Sequence, residues 1–237
     1  NGVTAALLVQ SGWTGVNDIF SGLDNFLATY APRRDPSGLI SGLGERYEVA
    51  RITIKKWSVG APIQPALDAL EMLLRKHPFD KDKVEQVIVR LPTSGAVTVD
   101  NRKMPDICLQ HMIAVMIMDK AVTFRSAHDK TRMNDPAVLH LRSKVKLIPD
   151  SALEHLMPKR AAIVEVMLAG GTHLNQRVDN VRGTPDNPMT RDEVIAKARD
   201  LVTPVFGDAK CNKLIEKIFA LEDVKDIREL RPLLQQA

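Results

Sequence analysis

Hydrophobic positions change their spacing along the chain, and each change predicts a change of element. Over residues 2–30 the spacing is helical. Val3, Leu7 and Leu8 form one face, Gly12 and Gly15 interrupt it, and Val16, Ile19 and Phe20 open a second short helix that stops at Gly22, with a third over 23–30. Residues 31–46 are rich in Pro, Gly and Ser and predict a loop and a domain boundary. The period then shortens to two: Tyr47, Val49, Ile52, Ile54 and Trp57 predict a strand. From Ile63 the helical period returns through Ala66, Leu67, Leu70, Leu73 and Leu74, with Pro62 suited to the first turn. Val84 to Leu91 alternates as a strand. Residues 105–120 are apolar all round, the mark of a deeply buried helix. Asp135-Pro136 opens a further helix, AVLHLRSKV, and Gly170-Gly171 between 161–168 and 173–181 predicts a β-hairpin. After the turn 183–190, Thr190 and Glu193 have the spacing of a capping box, and the pattern is helical to the end.

This order, helices then strands and helices then helices, predicts the α+β class. An all-α domain contributes its first part over 1–44 and its returning part over 183–237, with an α+β lid domain inserted over 45–182. The chain starts on Asn, and its opening residues read as the middle of a helix, so it is expected to begin inside a larger protein.

Charge narrows the functional classes. The 237 residues carry 33 Lys and Arg against 29 Asp and Glu, a net charge of +4, without a block of like charges. Aromatics are 4% and do not interleave with the basic residues, so the stacking platforms and basic stripe of a nucleic-acid binder are missing. No apolar run is long enough to span a membrane. Cys108, Cys211 and six scattered histidines give no metal-ligand spacing, and two isolated cysteines suggest reduced thiols in a cytoplasmic protein.

The stretch KKWSVGAPIQ, residues 55–64, is the most informative. Adjacent cations stand where an extended segment stops and a helix N-terminus begins. That arrangement suits a carboxylate, held by a lysine point charge and the positive end of the helix dipole; a desolvated lysine there is also a candidate base. It suits a solvated strand end equally well. Alternation sends adjacent side chains to opposite sides, so only one lysine should enter such a site. Ser58 and Gln64 are candidate substrate donors, Gln64 equally an ordinary cap. His111, on the apolar helix, is a candidate proton-transfer group or a core histidine. The neighbours His128 and Asp129 are weaker candidates. Arg182 can hold a carboxylate bidentately or tie the inserted domain to the returning helices.

Four stretches together resemble the C-terminal half of the MmgE/PrpD family. NGVTAALLVQSGWTGVNDIFSG is similar to the family's NG-x-x-AA-L-A-x-x-G-x-x-G segment. The lysine loop and helix over 52–69 resemble the opening of its inserted domain. DICLQHMIAVMIMDK resembles its helix AQFSLPYALAVALLDG, and VRGTPDNPMTRDEVIAKARDL its return to the helical domain. The family includes 2-methylcitrate dehydratase, cis-aconitate decarboxylase and iminodisuccinate epimerase. The resemblance implies a lyase or isomerase without metal or organic cofactor, acting on a small di- or tricarboxylate by proton abstraction beside a carboxylate. It also implies a homodimer in the full-length form. By position against the family, Lys55 is the catalytic lysine, with His111 the second catalytic candidate; Lys56, Ser58, Gly60, Gln64 and Arg182 are the substrate-binding candidates. His111 stands where several members have Tyr, while Gly60 and Gln64 stand where several have histidines. The family's N-terminal half carries an Asp/His-rich acid–base segment with no counterpart in these residues. The alternative is therefore a non-catalytic fragment or pseudoenzyme that binds a carboxylate or serves as an assembly module.

Overall fold

The computed structural model describes residues 1–33 and 35–235. They form two compact units, one from Asn1 to Ala50 and one from Arg51 onward. The fold class is α+β, as the change of period predicts.

Among its described residues the first unit holds three α-helices: α1 (Gly2–Gln10), α2 (Phe26–Tyr30) and α3 (Ser37–Ile40). The side chain of Asn25 caps α2, accepting from the Ala28 N–H at 3.0 Å. α1 is apolar yet buries none of its residues. The helix expected to start at Val16 is not formed. The Asp18 carboxylate accepts from the Phe20 and Ser21 N–H groups at 3.0 and 3.1 Å, so the backbone donors that a helix would use are taken by a local turn.

The strand expected over 47–57 is also absent. Glu48–Arg51 is a 3-10 turn, and the extended residues after it make one backbone contact, Ile54 N–H to the Gly183 carbonyl at 2.9 Å. Alternation alone does not make a strand; a ladder partner is needed, and no sheet edge meets this segment.

In the second unit the elements run α4 (Gln64–Lys76), β1 (Val84–Pro92), α5 (Thr93–Val99), α6 (Leu109–Asp119), α7 (Phe124–His128), α8 (Pro136–Ser143), β2 (Val145–Asp150), α9 (Ser151–Glu154), β3 (Ala162–Leu168), β4 (Thr172–Val178), α10 (Arg191–Phe206), α11 (Asp208–Phe219) and α12 (Arg231–Leu234). Four strands pair in the order β2-β1-β3-β4. β1 and β2 are parallel, with Val87 opposite Val145, and the other pairings are antiparallel. Gly170 and Gly171, at φ +90° and +83°, supply the left-handed backbone that the β3–β4 turn requires.

One core joins α4 to α8 and the four strands. Val87, Val89 and Leu91 of β1 and Val164 and Val166 of β3 face Leu67, Leu70 and Leu73 of α4 and the continuously buried run Leu109–Ile117 of α6. Each of these large side chains contributes about 1.5–3 kcal/mol by leaving water. This packing fixes the start of α4, where the lysine loop ends. Two local caps finish the frame: Asp135 accepts from the Ala137 N–H of α8 at 2.8 Å, and Thr190 and Glu193 close the capping box of α10.

Candidate functional site

The loop between Lys55 and α4 is held from below by two buried polar side chains of α4. Gln64 donates to the carbonyls of Trp57 at 2.7 Å and Val59 at 3.2 Å, and accepts from the Trp57 N–H at 3.1 Å. Asp68, four residues on and thus on the same helix face, accepts from the Trp57 indole N–H at 2.9 Å and from the Arg182 backbone N–H at 2.7 Å. Burial pushes the Asp68 carboxyl above its ordinary range, and those two hydrogen bonds oppose the shift. Asp68 thus ties the loop to the segment that follows β4.

Gly183 completes that join. It has φ +94°, and a Cβ placed on it would lie 1.8 Å from the Ile54 carbonyl oxygen, inside any van der Waals limit. Only glycine permits the two backbones to run this close. From the other side, the Lys197 ammonium of α10 donates to the Lys55 carbonyl. Burial, and next the charge of Lys55, lower the pKa of Lys197.

Two clefts flank this join, and the adjacent lysines part between them. Lys56 lines a cleft of about 570 Å³ with Asp68, Glu71, Arg177, Arg182 and Glu193. Its charges neutralise one another. Lys56 meets Glu71 at 2.5 Å and lies over the Trp57 ring; Arg177 meets Asp179 at 2.7 Å. Arg182 donates through Nε to both Glu193 oxygens at 3.1 Å and through Nη1 to Asn187 at 2.8 Å. The Arg182 guanidinium, aided by the Thr190 N–H, holds the Glu193 carboxyl at about 2.

Lys55 lines the other cleft, of about 540 Å³, with Gln64, Lys159, Arg160, Asp179 and Asp186. Lys159 pairs with Asp186 at 3.0 Å, and Asp179 is held by Arg177. Lys55 donates to the Val59 carbonyl at 3.3 Å. Neither Lys55 nor Arg160 has an acidic partner among the described residues. The cleft therefore carries uncompensated positive charge beside the first turn of α4. The helix end itself offers few free donors, since the Ile63 and Gln64 N–H groups bond to Gly60 and Ala61 and the prolines at 62 and 65 have none. Its contribution is the dipole, and the side chains supply the charge.

The remaining sequence candidates fall elsewhere. Gln64 reaches the cleft, but its amide is committed to the loop backbone. Lys56 and Arg182 are spent in the ion pairs of the neighbouring cleft. Gly60 donates its N–H to the Asp106 carbonyl at 2.8 Å, and a Cβ there would make only ordinary contact, so no steric demand for glycine exists. Ser58 is half-buried and lines neither cleft. His111 lines neither cleft either. It is fully buried in α6, both ring nitrogens lack a hydrogen-bond partner, and burial pushes its pKa down to about 4. An imidazole enclosed in this way does not reach a ligand in the Lys55 cleft. His128 and Asp129 do not form a pair: the imidazole stacks on Phe124 and bonds its carbonyl at 2.8 Å, while Asp129 bonds the Thr131 N–H at 2.9 Å. Lys159 and Arg160 were not singled out by the pattern, because nothing local to PKR, residues 158–160, reveals that it folds against residue 55.

The second unit thus presents a cationic cleft at a loop-to-helix junction. Its sequence matches the MmgE/PrpD C-terminal domain over residues 57–221, and the chain belongs to that family. The chain is also similar to the cis-aconitate decarboxylase-like protein oryM of Aspergillus oryzae (strain ATCC 42149 / RIB 40). Identity is 23% over 254 residues, covering 99% of this chain and 52% of that protein. The chain thus spans about half the length of the curated relative it matches. Among the described residues no helix is long and apolar enough to cross a membrane.

Proposed function

We propose that the Lys55 cleft binds a small di- or tricarboxylate and that the chain is the C-terminal part of a cofactor-independent lyase or isomerase, a homodimer in its full-length form. The observation that carries this reading is the unpaired Lys55 ammonium, lining a cleft beside a helix N-terminus in a member of a family with a decarboxylase-like relative. A point charge at this position serves two steps. It holds a substrate carboxylate in the ground state. When a proton leaves the adjacent carbon, charge moves onto the carboxylate oxygens, and a preorganised cation stabilises that charge most. The Gln64 clamp and the Lys197 contact keep the backbone around Lys55 fixed, so that stabilisation needs little reorganisation.

A second reading has its own support. Among the described residues the cleft lining contains no histidine and no cysteine, and His111 is enclosed in the core. A carboxylate-binding module without turnover by this chain alone fits that lining. Titration calorimetry with succinate, citrate and cis-aconitate, repeated with Lys55→Ala, tests both readings. Loss of about tenfold or more in affinity, the order expected for a charge-assisted hydrogen bond, supports the site. Turnover followed by proton NMR separates enzyme from module. Equal affinity for wild type and Lys55→Ala, or no carboxylate binding at all, refutes the cleft as the site.

A further inference from the structure

We propose that Arg160 is a second carboxylate anchor of the Lys55 cleft and makes the site selective for dicarboxylates over monocarboxylates. The inference rests on the carboxylate reading above and specifies its substrate class.

Ion pairing leaves two charges uncompensated in the cleft. Of the ionic groups lining the cleft, Lys159 is neutralised by Asp186 at 3.0 Å and receives further support from Asn180 at 3.4 Å. Asp179 is held by Arg177. Lys55 and Arg160 are left, two cations facing one cleft with no acidic partner among the described residues. Arg160 is half-buried and has no counter-charge among the described residues. Partial burial of an unpaired charge is unfavourable and is relieved by an anionic ligand.

The surroundings increase that demand. Arg160 also lines a narrow gap with Pro62 and Pro65, at the start of α4. It therefore stands near the positive end of a 13-residue helix, where a cation is least favoured and an anion most. Position is fixed as well as charge. Ala161 and Ala162 follow directly and are fully buried, and Ala162 begins β3 in the centre of the sheet, which anchors the Arg160 backbone.

The two cations differ in a way that orients a ligand. A guanidinium presents parallel N–H donors that match the two oxygens of a carboxylate, whereas a lysine ammonium acts as a compact point charge. A dicarboxylate can place one carboxylate flat on Arg160 and the other on Lys55, leaving the carbon between them exposed to the cleft. A monocarboxylate can satisfy only one of them. The volume, about 540 Å³, falls within the ordinary range for small-molecule clefts.

The test is calorimetric titration of the protein with succinate and with propionate, repeated with Arg160→Ala, Arg160→Lys and Lys55→Ala. Wild type should prefer succinate. Arg160→Ala should weaken succinate roughly 10- to 100-fold, the loss of a charge-assisted bidentate contact, and leave propionate within about twofold. Arg160→Lys should recover part of the succinate affinity, because it restores charge without the planar fork. The Arg160 side chain makes no hydrogen bond or ion pair among the described residues and its charge is unfavourably placed, so its truncation should leave the thermal midpoint unchanged or raise it; if Arg160→Ala is unstable, Arg160→Gln replaces it and carries the same expectation. Unchanged succinate affinity in the Arg160 variants, with Lys55→Ala impaired, overturns the second anchor and leaves the carboxylate site standing. Failure of wild type to bind either acid overturns both.

Discussion

Replacing His111 by leucine removes a buried imidazole whose two nitrogens have no hydrogen-bond partner, and the consequences can be worked out. Each orphaned polar atom in a core costs about 1–3 kcal/mol, and leucine is an apolar side chain of similar bulk. His111→Leu should therefore leave stability at pH 7 unchanged or raise it by about 1–3 kcal/mol. The pH dependence is more diagnostic. Burial, and next the positive charges of Arg142 and Arg132, push the pKa of His111 from 6.5 to about 4, with Asp129 opposing them. Above pH 6.5 the imidazole is neutral in folded and unfolded chains alike and contributes no slope. Between pH 6.5 and about 4 the unfolded chain takes up a proton that the folded chain does not, so stability falls as pH falls. The full loss is about 3 kcal/mol and is complete below pH 4. Urea denaturation followed by circular dichroism at pH 7, 6, 5 and 4 measures it. The difference between His111→Leu and wild type should grow by about 3 kcal/mol over that interval, since other titrating groups are common to both. A constant difference across the range would falsify the enclosed-histidine account. So would a variant that keeps its stability but loses all turnover, because that result assigns the ring a chemical role.

Two further substitutions probe the loop. Gly183→Ala forces a Cβ into the Ile54 carbonyl at an unfavourable φ. It should cost on the order of 3 kcal/mol by thermal denaturation and speed hydrogen exchange at the Ile54 amide; unchanged exchange would mean that the contact is not formed in solution. Gln64→Leu strips the partners from the Trp57 N–H and from the Trp57 and Val59 carbonyls. About 2–4 kcal/mol of stability should be lost, together with carboxylate affinity, because Lys55 would no longer be held. Retained affinity in a folded Gln64→Leu protein would show that the clamp does not position Lys55.

Periodicity identified what periodicity encodes. The face of α4 from Ile63 to Leu74, the burial of α6 and the hairpin around Gly170-Gly171 are short-range patterns, and each was legible. β2 was not. The helical pattern AVLHLRSKV runs into Val145, but α8 stops at Ser143 because Val145 pairs with Val87, a partner remote in sequence. α5 was missed for a similar reason. Thr, Gly and Val disfavour a helix at 93–99, yet the segment packs so closely on Pro62 that a Cβ built on Gly95 would lie 3.2 Å from its side chain. The site divides in the same way. That Lys55 and Lys56 part to opposite sides follows from backbone alternation. That Lys56 and Arg182 are consumed by Glu71 and Glu193, that Gln64 serves the loop, and that Arg160 reaches the cleft all depend on tertiary neighbours that one strand or helix cannot reveal.

The close crossing of Ile54 and Gly183 sets how separable the intervening block is. Its first and last residues touch, so the α+β block is a closed loop whose two ends leave through one doorway. A segment built this way can gain or lose residues inside itself without changing the distance its neighbours must span, and lengthening a closed loop adds chain entropy only slowly. Any side chain at 183 would meet the Ile54 carbonyl and pry that doorway open.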